Sequence, residues 1–350
     1  MFGLHICRGR VNKLLEERTN IQILMVKRMD SSQVEKAINY PDMTGRLKGE
    51  EIVLLNTTAV DLKLGTGGYN YVIGNVSTKK FKMKKQGHIM KLRYTPCQIR
   101  TECVEEVYPK NCFNNFKLEN TKVFFIPLHS LLFPFCLVLK ELYPQKSIVY
   151  IMSEGGSLSL PLSKMVLFLK KKSLLDKTIT FGQGFGGDLE TVNIFTALSA
   201  ATKILEADLI VIGMGPGLAG TGTELGFSGT ENALNSYAVH LLGGKSVIIP
   251  RISFYDRRER HRPVSHHTLT LLNYLIKHEV DVVLPDNNII KKEIKNNMSN
   301  LMVKTYFYAI DEVYNILKKN SKHLESMGRK FADDPLFFIT AGLAVYHYTT

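Results

Sequence analysis

Two patterns of apolar residues divide the chain. From Arg8 to about Val107, short β-type runs at Gly9 to Leu15, Ile21 to Lys27, Glu51 to Leu55, Tyr69 to Ile73 and Ile89 to Tyr94 are separated by turn formers. The turn formers are Pro41-Asp42, Gly45, Gly65, Gly67-Gly68 and Gly87. This spacing predicts a small antiparallel β-barrel or sandwich rather than helices. After about Asn120 the runs become continuously apolar, at Val123 to Ile126, Ser147 to Met152, Thr178 to Phe181, Asp208 to Ile212, Ser246 to Ile249, Asp281 to Leu284 and Met302 to Tyr308. Strands of that kind are buried on both faces. Segments of helical length lie between most of them: Leu158 to Leu174, Leu189 to Glu206, Ala233 to Leu242 and Thr268 to Lys277. The alternation predicts right-handed βαβ crossovers on an open, mostly parallel, doubly wound (Rossmann-like) α/β sheet. The expected division is a barrel-like domain over 1–118 and an α/β domain over 119–350.

Length allows two domains or one large domain with an appendage, and composition excludes a disordered chain, with 45% hydrophobic and 22% charged residues among 350. Five cysteines, odd in number and without CxxC spacing, make no disulfide or zinc framework and point to a reducing cytoplasm. The longest apolar stretch, Val123 to Leu139, is shorter than the roughly 20 residues a membrane helix needs and contains Pro127, His129 and Pro134. Met1 to Leu15 lacks the apolar run of a signal peptide. No membrane partner is therefore expected.

The net charge of +13 first suggests nucleic acid. Position changes that picture. Residues 1–120 hold 20 basic against 12 acidic side chains, whereas residues 181–250 hold two against six. Lys79 to Lys85 form a basic stretch with one aromatic, poor support for the stacking that nucleic-acid binding favours. A nucleic-acid-binding barrel stays as an alternative, and self-association into a homo-oligomer is left open.

In a doubly wound sheet, ligands bind beyond the carboxyl ends of the strands. The unusual residues of this chain follow those ends in succession: Ser153-Glu154-Gly155-Gly156-Ser157, then Gln183 to Asp188, then Gly213 to Thr223, then Arg251 and the loop to His267. Fifteen of the 26 glycines fall between Gly155 and Gly244. Gly215, Gly217 and Gly220 make GxGxxG. However, Pro216, Gly222 and Gly226 delay the helix, and Pro250-Arg251 stands where a ribose-binding acid would end the next strand. Thr223 stands where a P-loop needs Lys. A generic anion cradle survives, with backbone N–H groups from Gly215, Gly217, Gly220 and Gly222 and hydroxyls from Thr221 and Thr223. Tight strand-to-helix turns are the plainer alternative.

Only 13 arginines occur, and five of them, Arg251, Arg257, Arg258, Arg260 and Arg262, lie within twelve positions that contain no Lys. Guanidinium suits bidentate recognition of phosphate or carboxylate, while Asp256 and Glu259 allow internal ion pairs instead. The same loop holds His261, His266 and His267. Imidazoles there fit proton transfer, substrate hydrogen bonding, a divalent metal site with Asp188, His261 and His266 as candidate ligands, or simple packing around a Ser265 helix cap. Glu154 and Asp188 are candidate paired carboxylates. No serine sits in GxSxG.

These motifs resemble a family. Asn56-Thr57-Thr58-Ala59, Gly65-Thr66-Gly67-Gly68-Tyr69, the run from Gly87-His88 to Thr95-Pro96, Ser153-Glu154-Gly155-Gly156 and Gly186-Gly187-Asp188-Leu189-Glu190 are similar to bacterial proteins grouped as domain of unknown function 3866. So are Gly220-Thr221-Gly222-Thr223, Gly226-Phe227-Ser228-Gly229, Arg257 to Arg262, Val264 to Thr268 and Asp333-Asp334-Pro335. The resemblance spans nearly the whole chain and implies a bacterial cytoplasmic protein. It carries no mechanism.

The functional expectation therefore rests on the loops. It is an enzyme, a hydrolase or group transferase, that binds a small phosphorylated or polyanionic molecule at the carboxyl edge of the sheet. Arg251, Arg257, Arg258, Arg260 and His261 join the glycine loop in holding the anion, and Glu154, Asp188, His266 and His267 supply acid–base chemistry. A non-catalytic nucleotide- or small-anion-binding module is the alternative.

Overall fold

The computed structural model describes residues 3–65, 67–78 and 87–349. Contacts divide the chain into two compact units, Met1–Glu102 and Cys103–Thr350. Residues 103–118 thus belong with the α/β unit and not with the barrel. Val104 and Leu118 are buried in the apolar cluster beneath its sheet, an attachment too short to show as periodicity.

In the first unit, β1 (Ile6–Arg18), β2 (Ile21–Arg28), β3 (Val34–Asn39), β4 (Ile52–Asn56) and β5 (Asn70–Asn75) close a barrel in the order β1-β2-β3-β5-β4. β1 pairs antiparallel with both β2 and β4, and irregularities between Val11 and Lys13 and between Leu14 and Glu16 bend it. Val11, Leu24, Val26, Ala37, Val53 and Leu55 fill the interior. The barrel is not purely antiparallel, because β3 and β5 pair in parallel through Ala37–Asn70 and Ile38–Tyr71. β3 is also absent from the predicted runs, since Val34-Glu35-Lys36-Ala37 has no sustained alternation. A hairpin of β6 (Ile89–Lys91) and β7 (Ile99–Thr101) follows. The run predicted to reach Tyr94 stops at Lys91, because Leu92 and Tyr94 take positive φ. The basic stretch Lys79 to Lys85 lies outside the described residues.

In the second unit all seven predicted runs are strands. β8 (Lys122–Phe125), β9 (Ile148–Ser153), β10 (Lys177–Thr180), β11 (Leu189–Glu190), β12 (Leu209–Met214), β13 (Lys245–Ile248), β14 (Val280–Pro285) and β15 (Val303–Tyr308) form one sheet. The order is β11-β10-β9-β12-β8-β13-β14-β15, with every pair parallel. The short edge strand β11 and a helix over Ile194–Ser199 replace the helix expected from Leu189. A two-residue ribbon of β16 (Glu325–Ser326) and β17 (Arg329–Lys330) precedes the last helix, Pro335–Leu343.

Strands apolar on both sides bury two cores. Helices Leu132–Leu142, Lys164–Lys171 and Pro335–Leu343 cover one face, with Phe124, Tyr150 and Val211 beneath them. Helices Ile194–Ser199, Glu231–Leu241 and Asn288–Asn297 cover the other, over Phe125, Ile151 and Ile212. β8 therefore exits to one face while its neighbours β12 and β13 exit to the opposite one. That reversal is the topological switch point at which such sheets open a crevice. No described helix is long and apolar enough to cross a membrane.

Candidate functional site

The loops after β9 and β12 lock together at this edge. The Ser157 N–H donates to the Pro216 carbonyl at 2.8 Å, and a Cβ on Gly156 would lie 2.2 Å from the Gly215 carbonyl oxygen, so only glycine permits the approach. Beyond Pro216 the chain doubles back: Gly220 bridges Phe227, and the Thr221 N–H donates to the Gly226 carbonyl at 2.8 Å. The Thr221 and Thr223 hydroxyls lie 2.9 Å apart, and Thr223 accepts from the Gly226 N–H. Two hydroxyls predicted as ligand donors thus hold the turn itself. Gly222, at the tip, takes φ +84°, and Arg260 reaches it: Nη1 lies 3.4 Å from the place a Cβ would occupy. The glycine and arginine loops, 38 positions apart in sequence, meet there.

The five arginines have different fates. Arg251 is fully buried and donates through Nη2 to Asp256 at 2.6 Å. Its burial pulls the guanidinium down to about 10, against the attraction of Asp256. Burial alone would raise Asp256, but the Arg258 N–H and the Arg251 charge outweigh it and hold the carboxyl at about 2. Arg258 and Arg329 also pair with Asp256, while Arg329 and Ser253 both donate to Asp334. Arg251 and Arg258 therefore build the loop first. Arg262 approaches Glu259 at 3.9 Å. Arg257, Arg258, Arg260 and Arg262 are all exposed.

Between these loops lies a cleft lined by Pro127, Phe227, Asn232, Arg251, His267 and Thr268, among others. Arg251 Nε and Asn232 Oδ1 are buried without a hydrogen-bond partner among the described residues. A donor and an acceptor are thereby left unsatisfied on residues that line one cleft, an arrangement that costs free energy unless something fills it.

The imidazoles converge beside this cleft. His261 is fully buried, and its Nδ1 lies 2.7 Å from the Ser265 hydroxyl. Ser265 caps the helix His266–Thr270 by accepting the His267 N–H. His267 stacks on Phe227 with ring centroids 3.9 Å apart. Burial, reinforced by the Arg251 and Arg258 charges, lowers His261 to about 3, and burial, reinforced by His266 and Arg251, lowers His267 to about 3. Burial and Arg260 also lower His266. All three rings are neutral at pH 7.

The carboxylates do not fall as predicted. Asp188 is not in the crevice: it accepts the Thr178 N–H and hydroxyl, both at 2.8 Å, and pairs with Lys170, at the amino-terminal end of β10. Parallel pairing of β11 with β10 turns the loop back and carries Asp188 there. It is therefore neither the partner of Glu154 nor a neighbour of the histidines. Glu154 accepts the Gln183 N–H. The buried carboxyl at this edge of the sheet is Glu231, the first residue of helix Glu231–Leu241 and the neighbour in sequence of the cleft-lining Asn232, held by the Ser153 hydroxyl and the Gly155 N–H. Burial, opposed by those two donors and aided by the Glu154 charge, raises Glu231 to about 7. Sequence reading missed it because an acid in a first helical turn reads as an ordinary dipole partner.

A closed five-stranded barrel followed by an eight-stranded parallel sheet, with a largely apolar crevice that carries a few polar groups at its switch point, defines a two-unit α/β protein. The chain belongs to the family described as Protein of unknown function (DUF3866), whose model matches residues 36–345. No curated protein and no solved structure matches it.

Proposed function

We propose that the α/β unit is an enzyme of the hydrolase or group-transferase class that takes a small phosphorylated or polyanionic molecule in the switch-point cleft. The observation that carries this reading is the meeting of Arg260 with Gly222. An exposed guanidinium beside a positive-φ backbone turn is the pairing that phosphate recognition favours. Arg257 is a further exposed cation of the same loop, and Arg251 Nε offers a buried donor on the cleft wall. Arg258, engaged with Asp256, positions the loop. Glu231 titrates near neutrality and takes the acid–base role, beside Glu154. His266 and His267 stand beside the cleft as neutral imidazoles that take no acid–base role. Asp188 has no part.

Calorimetry with inorganic phosphate, pyrophosphate and a simple phosphomonoester tests the binding claim. Arg260→Ala should weaken the tightest of these by about tenfold or more, since a charge-assisted contact contributes on the order of 1.5–3 kcal/mol. No phosphate-class binding by the wild type, or equal affinity in Arg260→Ala, refutes it. Turnover of the phosphomonoester that is lost in Glu231→Gln tests the catalytic claim.

A further inference from the structure

We propose that His261, His266 and His267 form a three-imidazole site for a divalent transition metal of the zinc class. Each residue offers one ring nitrogen, and the three lie within 4.8 Å of one another. Zinc–nitrogen bonds of about 2.0–2.1 Å in tetrahedral geometry set ligand nitrogens roughly 3.4 Å apart, so the rings need draw in by up to about 1.4 Å.

The second observation is independent of that spacing. The Ser265 oxygen accepts from the His267 N–H and lies 2.7 Å from His261 Nδ1, where it can accept that ring's proton as well. With the His261 proton on Nδ1, Nε2 keeps a bare lone pair. That atom is fully buried and has no hydrogen-bond partner among the described residues, and the same is true of His266 Nε2. Two unfilled ring nitrogens within one cluster cost free energy unless a cation or donor occupies the space. A ligating imidazole is normally oriented by an acceptor on its other nitrogen, and the Ser265 oxygen stands in that place here. Phe227, stacked on His267, fixes the orientation of a second ring.

The local fold explains why the rings meet. Ile252 bridges Val264, and the Ser265 N–H donates to the Arg251 carbonyl at 2.9 Å. The base of the loop is thus closed, and the short turn Glu259–His261 returns over the start of the helix. Asp256 offsets the charges of Arg251 and Arg258. Arg260 remains uncompensated, so the site favours a cation carrying an anionic oxygen ligand. Three protein ligands leave a fourth position for it, as in catalytic rather than structural zinc sites. The inference deepens the anion reading at the same crevice, and its metal geometry does not depend on it.

The test uses the full chain, stripped with chelator and titrated with Zn²⁺ alone by calorimetry, then with Co²⁺ while its visible ligand-field bands are followed. The wild type should take about one equivalent with a tetrahedral Co²⁺ spectrum. His266→Ala/His267→Ala should lose that binding by at least a hundredfold while its far-ultraviolet circular dichroism is unchanged. Ser265→Ala should lose roughly 10–100-fold. His240→Ala/His278→Ala, which removes another close imidazole pair, should keep full affinity. Failure of the wild type to bind, or equal loss in both histidine-pair variants, overturns the proposal. Zn²⁺ binding that persists without any phosphate affinity discards the anion reading alone, and phosphate affinity without Zn²⁺ binding discards the metal alone.

Discussion

The Ser265 hydroxyl serves two residues at once: it lies 2.7 Å from His261 Nδ1 and caps the next helix through the His267 N–H. One oxygen thus sets both the ring orientation of a buried histidine and the start of the helix that carries its two neighbours. Ser265→Ala removes the cap and the buried hydrogen bond together and should destabilise the chain by about 1–2 kcal/mol. Ser265→Thr, which keeps the hydroxyl, should recover part of the loss. Urea denaturation measures both, and an unchanged midpoint in the alanine variant contradicts the dual role.

Glu231 makes stability depend on pH. Its folded value of about 7 lies above the ordinary glutamate value, so the folded state binds the proton more tightly than the unfolded state. The stabilisation is fully present below the unfolded value and is lost as pH rises through about 7. Between pH 5 and 8 the wild type should lose up to about 3 kcal/mol more than Glu231→Gln. Parallel pH profiles for the two proteins would rule this out.

Removing either partner of the buried pair Arg251–Asp256 should have unequal effects. Asp256→Ala leaves Arg251 buried without its counter-charge and also releases Arg329 and Arg258. The expected cost is about 3–5 kcal/mol. Arg251→Met leaves Asp256 with two other guanidinium groups and should cost less. Arg257→Ala, on the exposed part of the loop, should stay within about 0.5 kcal/mol of wild type. Guanidinium chloride unfolding orders the three, and a costlier Arg251→Met reverses the argument.

The junction of the two glycine loops admits no side chain. Gly156→Ala drives a methyl into the Gly215 carbonyl and should cost about 1–3 kcal/mol through forced backbone shifts. Gly74→Ala, in the barrel strand β5, meets nothing within 4 Å and should be neutral or slightly stabilising. Thermal unfolding of the pair provides the comparison, and equal midpoints would show that the loops yield freely.

Some of this was legible before any coordinates. The seven apolar runs of the second unit are strands because a two-sided core demands unbroken apolar residues, a local signal that survives any topology. The clustering of Arg257, Arg260, His261, His266 and His267 was equally visible, since all five lie within one loop and the helix start it feeds. Strand β3 escaped notice because its Glu35 and Lys36 break the alternation on which recognition depends.

What the sequence determined by itself is the class of the sheet and the edge at which polar loops gather, both consequences of short-range pattern and crossover handedness. Tertiary structure alone decided the rest. The parallel pairing of β3 with β5 closed the barrel, and that of β11 with β10 carried Asp188 away from the crevice. The return of helix Glu231–Leu241 beneath Ser153 and Gly155 made an ordinary acid the titrating group. Of five neighbouring arginines, burial turned Arg251 inward to Asp256, while Arg260 remained outside beside Gly222. Desolvation and long-range pairing depend on which distant segments meet, and no window of neighbouring residues contains that information.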